Sequence, residues 1–249
     1  MPAVFAEAGM DHARRYGTTF EQFAKVSVKN HHHSTMNPKA RYQIETPLET
    51  VMGAEMIAYP NTKLMCSVNV DGAAAAVLVS ERKARELGTQ RAIRVRGSAL
   101  TSDPYSETNA HPEQIPDVDT LTRNAAAQAY EMAGVGPGEL DLVELHDCFA
   151  TAELLHYENL GLCEEGEAGR MIDEGETALG GRIPVNVSGG LLSKGHPIGA
   201  TGIANMYEIA THLRGEAGAR QVQRARLGLT HVIGLGSACG VHILEGPST

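Results

Sequence analysis

The second half of the chain alternates helical stripes with short apolar runs, and this alternation is the feature that most limits its fold. A stripe of apolar residues at helical spacing comes first, and it consists of Leu121, Ala125, Ala129 and Met132. The elements predicted after it are, in order, a strand over Leu140–Leu145, a helix over Ala150–Leu160, a strand over Ile183–Val187, a helix over Pro197–Arg214, and strands over Arg226–Ile233 and Val241–Leu244. Alternation of this kind is typical of a layered α/β fold.

The first hundred residues give weaker signals. Residues 1–30 read as helical, with a second helical piece over Phe20–Val26, whereas the density of Pro and Asn in residues 31–63 favours an irregular excursion. The elements predicted next are a buried strand over Ala73–Ser80, a short helix over Glu81–Leu87 and a strand over Ala92–Ala99. A polar stretch with three prolines, residues 101–116, predicts a boundary between one domain of residues 1–107 and another of residues 108–249.

Composition excludes several classes of function. The net charge of −9 argues against nucleic-acid binding, which depends on neutralising phosphates. No apolar run reaches the length of a membrane span, so we expect no membrane partner. The four cysteines form no CxxC pair, a pattern that argues against a zinc ribbon or a disulfide scaffold and fits a reducing, cytoplasmic compartment.

A local basic cluster stands out against this acidic background. Its members are Lys25, Lys29, Lys39 and Arg41. A solvated loop and a phosphate-binding loop explain the cluster equally well. Three adjacent histidines, His31–His33, cannot all face one metal from a regular element, so we expect a loop near a ligand, or plain surface, and no metal site.

The first chemical constellation is Glu144-Leu145-His146-Asp147-Cys148-Phe149. It follows a predicted strand, and open α/β sheets place their active sites at the carboxyl ends of strands. A neighbouring imidazole can hold a thiol partly as thiolate, which would make Cys148 a base or a nucleophile. The alternative is a buried structural cysteine beside a capping aspartate.

The second constellation is the glycine-rich stretch Ser188–Gly202 around His196. Pro197 fits the first position of a helix, which would place His196 at the helix entrance. The positive end of the helix dipole would keep its ring neutral and able to donate a hydrogen bond to an oxyanion. The alternative is a glycine-rich loop around a satisfied core histidine.

Together these two segments resemble the thiolases. Ser188–Gly202 is similar to their GHP segment, and Glu144–Phe149 to the HDCF segment of the SCP2-thiolase (sterol carrier protein x type) group. Asp71–Ala75, Tyr157–Cys163 and Leu213–Gly218 also resemble that group. The resemblance runs from about Ala6 to Leu244. It implies a complete C-terminal βαβαβαββ half and part of the N-terminal half with its loop excursion.

The resemblance also implies roles. His146 and His196 would form an oxyanion hole for a thioester oxygen, and His196 would activate a nucleophilic cysteine. Cys148 would be the catalytic acid/base, and Gly234 would contribute its backbone N–H to a second oxyanion hole. Coenzyme A would be a substrate, with no permanently bound cofactor, and would contact the basic cluster and Ser188. Cys239 is interpreted as buried and structural.

One departure is large, because none of the four cysteines matches the acyl-accepting cysteine of thiolases, which lies upstream of the matched region. The expected function is 3-ketoacyl-CoA thiolysis or Claisen condensation, with the chain inactive alone. A homodimer, or a partner that supplies the nucleophile, is expected. The alternatives are a subunit of a thiolase-like retro-aldolase and a non-catalytic coenzyme A-binding module. A partial N-terminal sheet would leave an unpaired edge.

Overall fold

The structure is a computed structural model that describes residues 1–102, 118–234 and 238–247. The helices in these ranges are α1 (Pro2–Tyr16), α2 (Phe20–Thr35), α3 (Leu48–Met52), α4 (Glu81–Glu86), α5 (Val118–Ala133), α6 (Ala150–Asn159), α7 (Ala168–Asp173) and α8 (Thr201–Leu213). The strands are β1 (Met56–Ala58), β2 (Asn61–Thr62), β3 (Arg94–Ser102), β4 (Leu142–Glu144), β5 (Leu227–Gly234) and β6 (Ala238–Glu245).

The centre of the molecule is a mixed sheet with the strand order β3-β6-β5-β4. β4 runs parallel to β5, with Glu144 opposite Thr230, whereas β6 is antiparallel to both of its neighbours. Val185 extends the sheet by one parallel bridge to Val143, so the predicted strand over Ile183–Val187 is reduced to a single bridge. The fold is α/β, as predicted.

The sheet separates two apolar cores, as the alternation of side chains along a strand requires. On β6, Val241 and Ile243 join the larger core with α5 and α6, whereas Leu244 joins the smaller core. Ile209 and Leu213 of α8 cover that second face. The result is a three-layer arrangement of helices, sheet and helix.

The N-terminal helices pack against α6 and carry the first correction to the predictions. α2 continues to Thr35, so His31–His33 lie on a helix and not in the predicted irregular excursion. Thr19 starts this helix with a capping box, in which its hydroxyl accepts the Gln22 N–H. Burial explains the extension, because the rings of His31 and His33 are buried in the molecule while His32 is exposed.

A second correction concerns the predicted strand over Ala73–Ser80, which is not formed. Val77 is 91% exposed and Leu78 is 82% exposed. A strand needs a neighbour to bond its backbone groups, and no strand of the described ranges lies beside this segment. We call residues 73–80 the unpaired segment.

The strand predicted over Ala92–Ala99 forms as β3, and it pairs with β6 from Arg94 opposite Glu245 to Ser102 opposite Ala238. β3 therefore completes the sheet of the C-terminal part, although the predicted boundary assigns it to residues 1–107. The boundary itself, at 107/108, lies outside the described residues. Within the described ranges, no helix has the length and apolar character needed to cross a membrane.

Candidate active site

Two loops meet beyond the carboxyl end of the sheet. One follows β4 and carries His146, Asp147 and Cys148; the other precedes α8 and carries His196. The buried Asp147 carboxylate joins them, because it accepts the backbone N–H of Leu191 at 2.7 Å and of Leu192 at 3.2 Å. A Cβ at Gly190 would lie 2.1 Å from Asp147 Oδ2, so only glycine allows this approach.

This junction brings the two predicted catalytic histidines together. The ring centroids of His146 and His196 are 5.0 Å apart, and the rings meet edge to face at 86°. His196 Nδ1 lies 2.7 Å from the Thr201 hydroxyl, which also reaches the Pro197 carbonyl at 3.1 Å. The Thr201 hydroxyl can donate either to His196 Nδ1 or to the Pro197 carbonyl. The His196 ring can therefore carry its proton on Nε2 in the first case and on Nδ1 in the second.

Both rings are neutral, but for His196 the predicted reason does not apply. α8 begins at Thr201 and not at Pro197, so His196 lies a turn ahead of the helix and its dipole acts weakly there. Burial lowers the pKa of His196, and the nearby Lys194 lowers it further. Burial lowers the pKa of His146 to about 3, with smaller contributions from His196, His156 and Lys194.

Cys148 is a thiol in this environment. Burial raises its pKa well above the ordinary value, and the charge of Asp147 raises it further. This reverses the expectation that the adjacent imidazole would stabilise a thiolate, because the ring of His146 is itself neutral. The residue is therefore suited to donate a proton, and it becomes a base only when it is deprotonated during turnover.

His146, Cys148 and His196 line a cavity of about 770 Å³, and Gly234 at the end of β5 lies on its wall. Phe5, Leu64 and Leu121 give the cavity a largely apolar surface. The structure thus assembles all four residues predicted for catalysis and the oxyanion holes around one space.

A further segment, Cys66–Asn69, borders the same cavity and was missed in the sequence. It lies between the two loops, because Ser67 donates its backbone N–H to the Cys148 carbonyl at 2.9 Å and Val68 accepts the His196 N–H at 2.8 Å. Burial raises the pKa of the Cys66 thiol to about 11. No motif in the sequence connects this segment to the loops, since the link is made by backbone bonds.

Beneath the loops lies a buried polar network that the sequence also did not reveal. Lys29 of α2 forms a buried ion pair with Glu153 of α6 at 2.5 Å. Asn30 donates to Asp147 at 2.9 Å and to Glu153 at 2.7 Å, and Asn186 donates to Glu153 at 2.8 Å. The network fixes the position of Asp147, and hence of the catalytic loops, from three separate elements.

The residues proposed to contact coenzyme A are dispersed. The Lys29 ammonium forms a buried ion pair with Glu153, so it is not available to a phosphate. Lys25 pairs with Asp173 at 2.8 Å. Ser188 is buried and donates its hydroxyl to Glu144 at 2.6 Å. Lys39 and Arg41 are exposed, with the Lys39 ammonium 4.1 Å from the centroid of the Tyr207 ring and the Arg41 guanidinium over Tyr42.

The other two cysteines, Cys163 and Cys239, lie outside the cavity. Cys239 is buried, as interpreted, whereas Cys163 is partly buried and does not line the cavity. Across the described ranges, no group of three or more His, Cys, Asp or Glu side chains is arranged to hold a metal ion.

Comparison with known sequences agrees with this geometry. The profile of the thiolase C-terminal domain-like family matches residues 106–246. Sterol carrier protein 2 of Oryctolagus cuniculus is 44% identical over 246 residues, which cover 98% of this chain and 45% of that protein. An acetyl-CoA acetyltransferase of Methanothermobacter thermautotrophicus is 45% identical over 245 residues, which cover 98% of this chain and 63% of that one. The chain thus spans about half the length of the curated relatives it matches.

Among solved structures, the Ltp2-ChsH2(DUF35) aldolase superposes on the whole chain with a TM-score of 0.85. The two share 27% sequence identity, and the match covers 64% of the aldolase chain. The loops that carry His146 and His196, the order of the strands and these likenesses all indicate the same family. The chain belongs to the thiolase superfamily, with its relatives in the SCP2-thiolase group.

Proposed function

We propose that this chain carries out the enolate-handling half of thiolase-type chemistry on a coenzyme A thioester, as part of a 3-ketoacyl-CoA acyltransferase. The observation that carries the proposal is the meeting of His146, His196 and Cys148 at one wall of the cavity. Two neutral imidazoles and a protonated thiol are suited to an intermediate with negative charge on oxygen and a carbon that must gain a proton.

The proposed steps use the atoms at this wall. In the cleavage direction, the thiolate of an acyl-accepting cysteine supplied from elsewhere attacks C3 of a 3-ketoacyl-CoA and forms an acyl-cysteine. The bond between C2 and C3 breaks, and the coenzyme A thioester that keeps C2 leaves as its enolate. The histidine N–H groups stabilise the enolate oxygen, and Cys148 donates its proton to the carbon. In the condensation direction the Cys148 thiolate removes that proton. Gly234 would serve the oxygen of the acyl group in a second hole.

Complete thiolysis also needs a cysteine that accepts the acyl group. None of the four cysteines matches that residue of the family, so the proposed acyltransferase reaction requires it from elsewhere, in a further segment or a partner chain. The partner we propose is a second copy of the chain or a protein that carries the nucleophile. A cytoplasmic site of action fits the free thiols.

The structural likeness to the Ltp2-ChsH2(DUF35) aldolase supports a second candidate function. Retro-aldol cleavage of a 3-hydroxyacyl-CoA also releases a thioester enolate, but it needs no acyl-cysteine. The same His146, His196 and Cys148 would stabilise and protonate that enolate. Both candidate reactions therefore use His146, His196 and Cys148 on the enolate in the same way. They differ in the other product of the cleavage, which must be taken up by an acyl-accepting cysteine only in the acyltransferase.

For coenzyme A itself we propose contacts with the exposed Lys39 and Arg41. These two cations of the basic cluster are open to solvent, and a phosphate can reach them without breaking a buried ion pair. Lys25 is partly exposed and would contribute only by leaving Asp173. No permanently bound cofactor is required by either reaction.

The first experiment isolates the shared step. The purified chain is incubated with acetyl-CoA in D₂O, and exchange of the acetyl protons is followed by mass spectrometry. We expect exchange by the parent chain and a loss of about 10²–10⁴-fold in Cys148→Ala, because a general base contributes that much. Cys163→Ser is the matched control, since that thiol lies away from the cavity.

The result also separates the candidates. Exchange combined with cleavage of a 3-hydroxyacyl-CoA by the chain alone would favour the aldolase. Exchange without cleavage, followed by thiolysis once an acyl-accepting cysteine is supplied, would establish the acyltransferase. Binding of coenzyme A without any exchange would leave only a non-catalytic binding module.

A further inference from the structure

A row of four histidines runs from the cavity into the protein interior, and only its first two members have a role in the proposed function. We call His196, His146, His231 and His156 the histidine row. His196 and His146 meet at 5.0 Å, the His146 backbone N–H lies 3.4 Å from His231 Nδ1, and the rings of His231 and His156 meet at 4.4 Å. The last two belong to β5 and α6 and are completely buried.

The two nitrogens of the His146 ring have different surroundings. Nδ1 is buried and has no hydrogen-bond partner within the described residues, whereas the ring as a whole lines the cavity. Nε2 is therefore the nitrogen that is open to a ligand. If the ring is to donate to an enolate oxygen, its single proton must be on Nε2, and Nδ1 must present a lone pair to the interior.

His231 cannot supply the donor that this lone pair needs. Its Nδ1 accepts the His146 backbone N–H, so its proton lies on Nε2, which faces the Thr122 hydroxyl at 3.4 Å. The contact holds the backbone of the catalytic loop on β5. It leaves the His146 ring free to take either neutral form.

His156 is the remaining member and the unusual one. Both of its nitrogens are buried without a hydrogen-bond partner in the described ranges, and burial lowers the pKa of the ring to about 3. Leaving buried polar groups unbonded costs about 1–3 kcal/mol each, so such a ring in the centre of a protein requires an explanation. A neutral imidazole has one N–H to donate, and His146 Nδ1 lacks one donor.

We infer that His231 and His156 are positioning residues for His146. His231 anchors the loop backbone, and His156 keeps the ring proton on Nε2 by donating toward Nδ1 through one buried water. A water in this place would join polar atoms that otherwise have no partner, which is the usual role of buried water. The inference rests on the proposed function, since it explains why His146 is a fixed donor while Thr201 allows His196 both neutral forms.

The consequence for chemistry is direct. With the proton on Nδ1, the lone pair of Nε2 would face the enolate oxygen and repel it. Losing one oxyanion donor costs about 10²–10³ in rate in well-studied enzymes. The row therefore sets the catalytic competence of His146 from positions that no substrate touches.

The test measures the tautomer itself. In ¹⁵N-histidine-labelled chain, the His146 ring is assigned by the loss of its signals in His146→Gln, and its protonated nitrogen is identified by one-bond coupling. We expect Nε2–H in the parent chain. In His156→Phe, which keeps the ring volume, we expect a substantial fraction of Nδ1–H and an exchange rate at least tenfold lower, with KM for acetyl-CoA unchanged. His156→Gln, which retains a donor, should restore the parent pattern.

Two results would overturn the inference. One is Nδ1–H on His146 in the parent chain, a measurement that needs no variant to fold. The other is His156→Phe with the parent tautomer, unchanged exchange and unchanged or higher stability, as expected of a ring that only fills space. The tautomer is read without turnover, so a parent chain with Nε2–H that fails to exchange acetyl-CoA protons would refute the proposed function and leave this inference intact.

Discussion

Cys148 shows how a neighbouring residue type misleads and burial decides. The sequence places His146 two residues from the thiol, and this proximity predicts a stabilised thiolate. In the structure the imidazole is neutral, and burial raises the pKa of the Cys148 thiol, with a smaller contribution from the charge of Asp147. The sequence shows which residues adjoin the thiol, but their protonation states depend on desolvation, which only the fold reveals.

A pH profile follows from this raised pKa. Removal of an acetyl-CoA proton needs the Cys148 thiolate, whose fraction grows about tenfold per pH unit as long as the pH is below the pKa. We expect the exchange rate to rise without a plateau between about pH 6 and about pH 9. A plateau near about pH 8.5, the ordinary value for cysteine, would contradict the raised pKa. Exchange is measured by mass spectrometry, with Cys163→Ser as the control.

The ion pair of Lys29 and Glu153 allows a matched comparison between two lysines of one helix. Lys29 is buried on Glu153, and its removal leaves a buried carboxylate without a counter-charge, so Lys29→Met should lower the free energy of unfolding by about 3–5 kcal/mol. Lys25 pairs with Asp173 near the surface, and Lys25→Met should cost about 0–1 kcal/mol. Urea unfolding measures both, and equal losses would show that the buried pair is not critical.

At the scale of elements, helices were predicted better than strands. The helix over Ala150–Leu160 is α6 with one residue fewer, because its apolar stripe and the glycine after it are local signals. α2 was predicted too short, since His31 and His33 are polar in sequence but buried in the fold. The predicted strand over Ala73–Ser80 fails for the opposite reason, since its apolar residues fit a strand but the partner strands lie nowhere in the described ranges.

The unpaired segment leads to a prediction about association. Val77 and Leu78 expose apolar surface next to unbonded backbone, which is a site for pairing with another chain. We expect the chain to self-associate as its concentration rises, and Val77→Lys to weaken this association because a charge would be buried in the contact. Leu87→Lys, at an apolar residue that is 61% exposed outside the segment, should have no such effect.

Sedimentation velocity over a range of concentrations measures this association. The free energy of unfolding should be unchanged in both variants, because neither side chain is packed in the folded chain. A parent chain that stays monomeric and resists proteolysis at residues 73–80 would contradict the prediction of an open edge. A Leu87→Lys variant that dissociates as strongly as Val77→Lys would show that general surface charge, and not this segment, controls association.

At the scale of the whole molecule, the site depends on both ends of the chain. Residues 66–69 bind the two catalytic loops by backbone bonds, and α2 supplies Lys29 and Asn30 to the network beneath them. The motifs around His146 and His196 were visible in the sequence because each lies in a short stretch. The contacts that hold them together join residues far apart in the sequence, 44 positions for Asp147 and Leu191 and 117 for Asn30 and Asp147, and no local pattern encodes such contacts.

The same architecture buries several neutral histidines, and this makes the whole fold sensitive to acid. Burial lowers the pKa values of His33, His146 and His156 to about 3 each. In the unfolded chain a histidine has a pKa of about 6.5, so between about pH 6.5 and about pH 3 the unfolded state binds more protons than the folded state. Above this window the buried histidines make their full contribution to the free energy of unfolding. This free energy falls as the pH decreases through the window, by about 1.4 kcal/mol per pH unit for each such histidine.

His33 offers the sharpest test of this acid sensitivity, because both of its nitrogens are engaged in the neutral form. Nδ1 lies 3.0 Å from the Asn186 carbonyl, to which it donates, and Nε2 accepts the Leu179 N–H at 3.0 Å, so protonation must break the second bond. We expect His33→Gln to be less stable than the parent chain at neutral pH but to lose stability less steeply, by about 1.4 kcal/mol per pH unit, in urea unfolding between about pH 6 and about pH 4.5. His32→Gln, at the exposed neighbour, controls for changing this turn of α2. A parental slope in His33→Gln would mean that the acid sensitivity arises from other groups, because a buried neutral imidazole cannot be removed without removing its share of the proton uptake on unfolding.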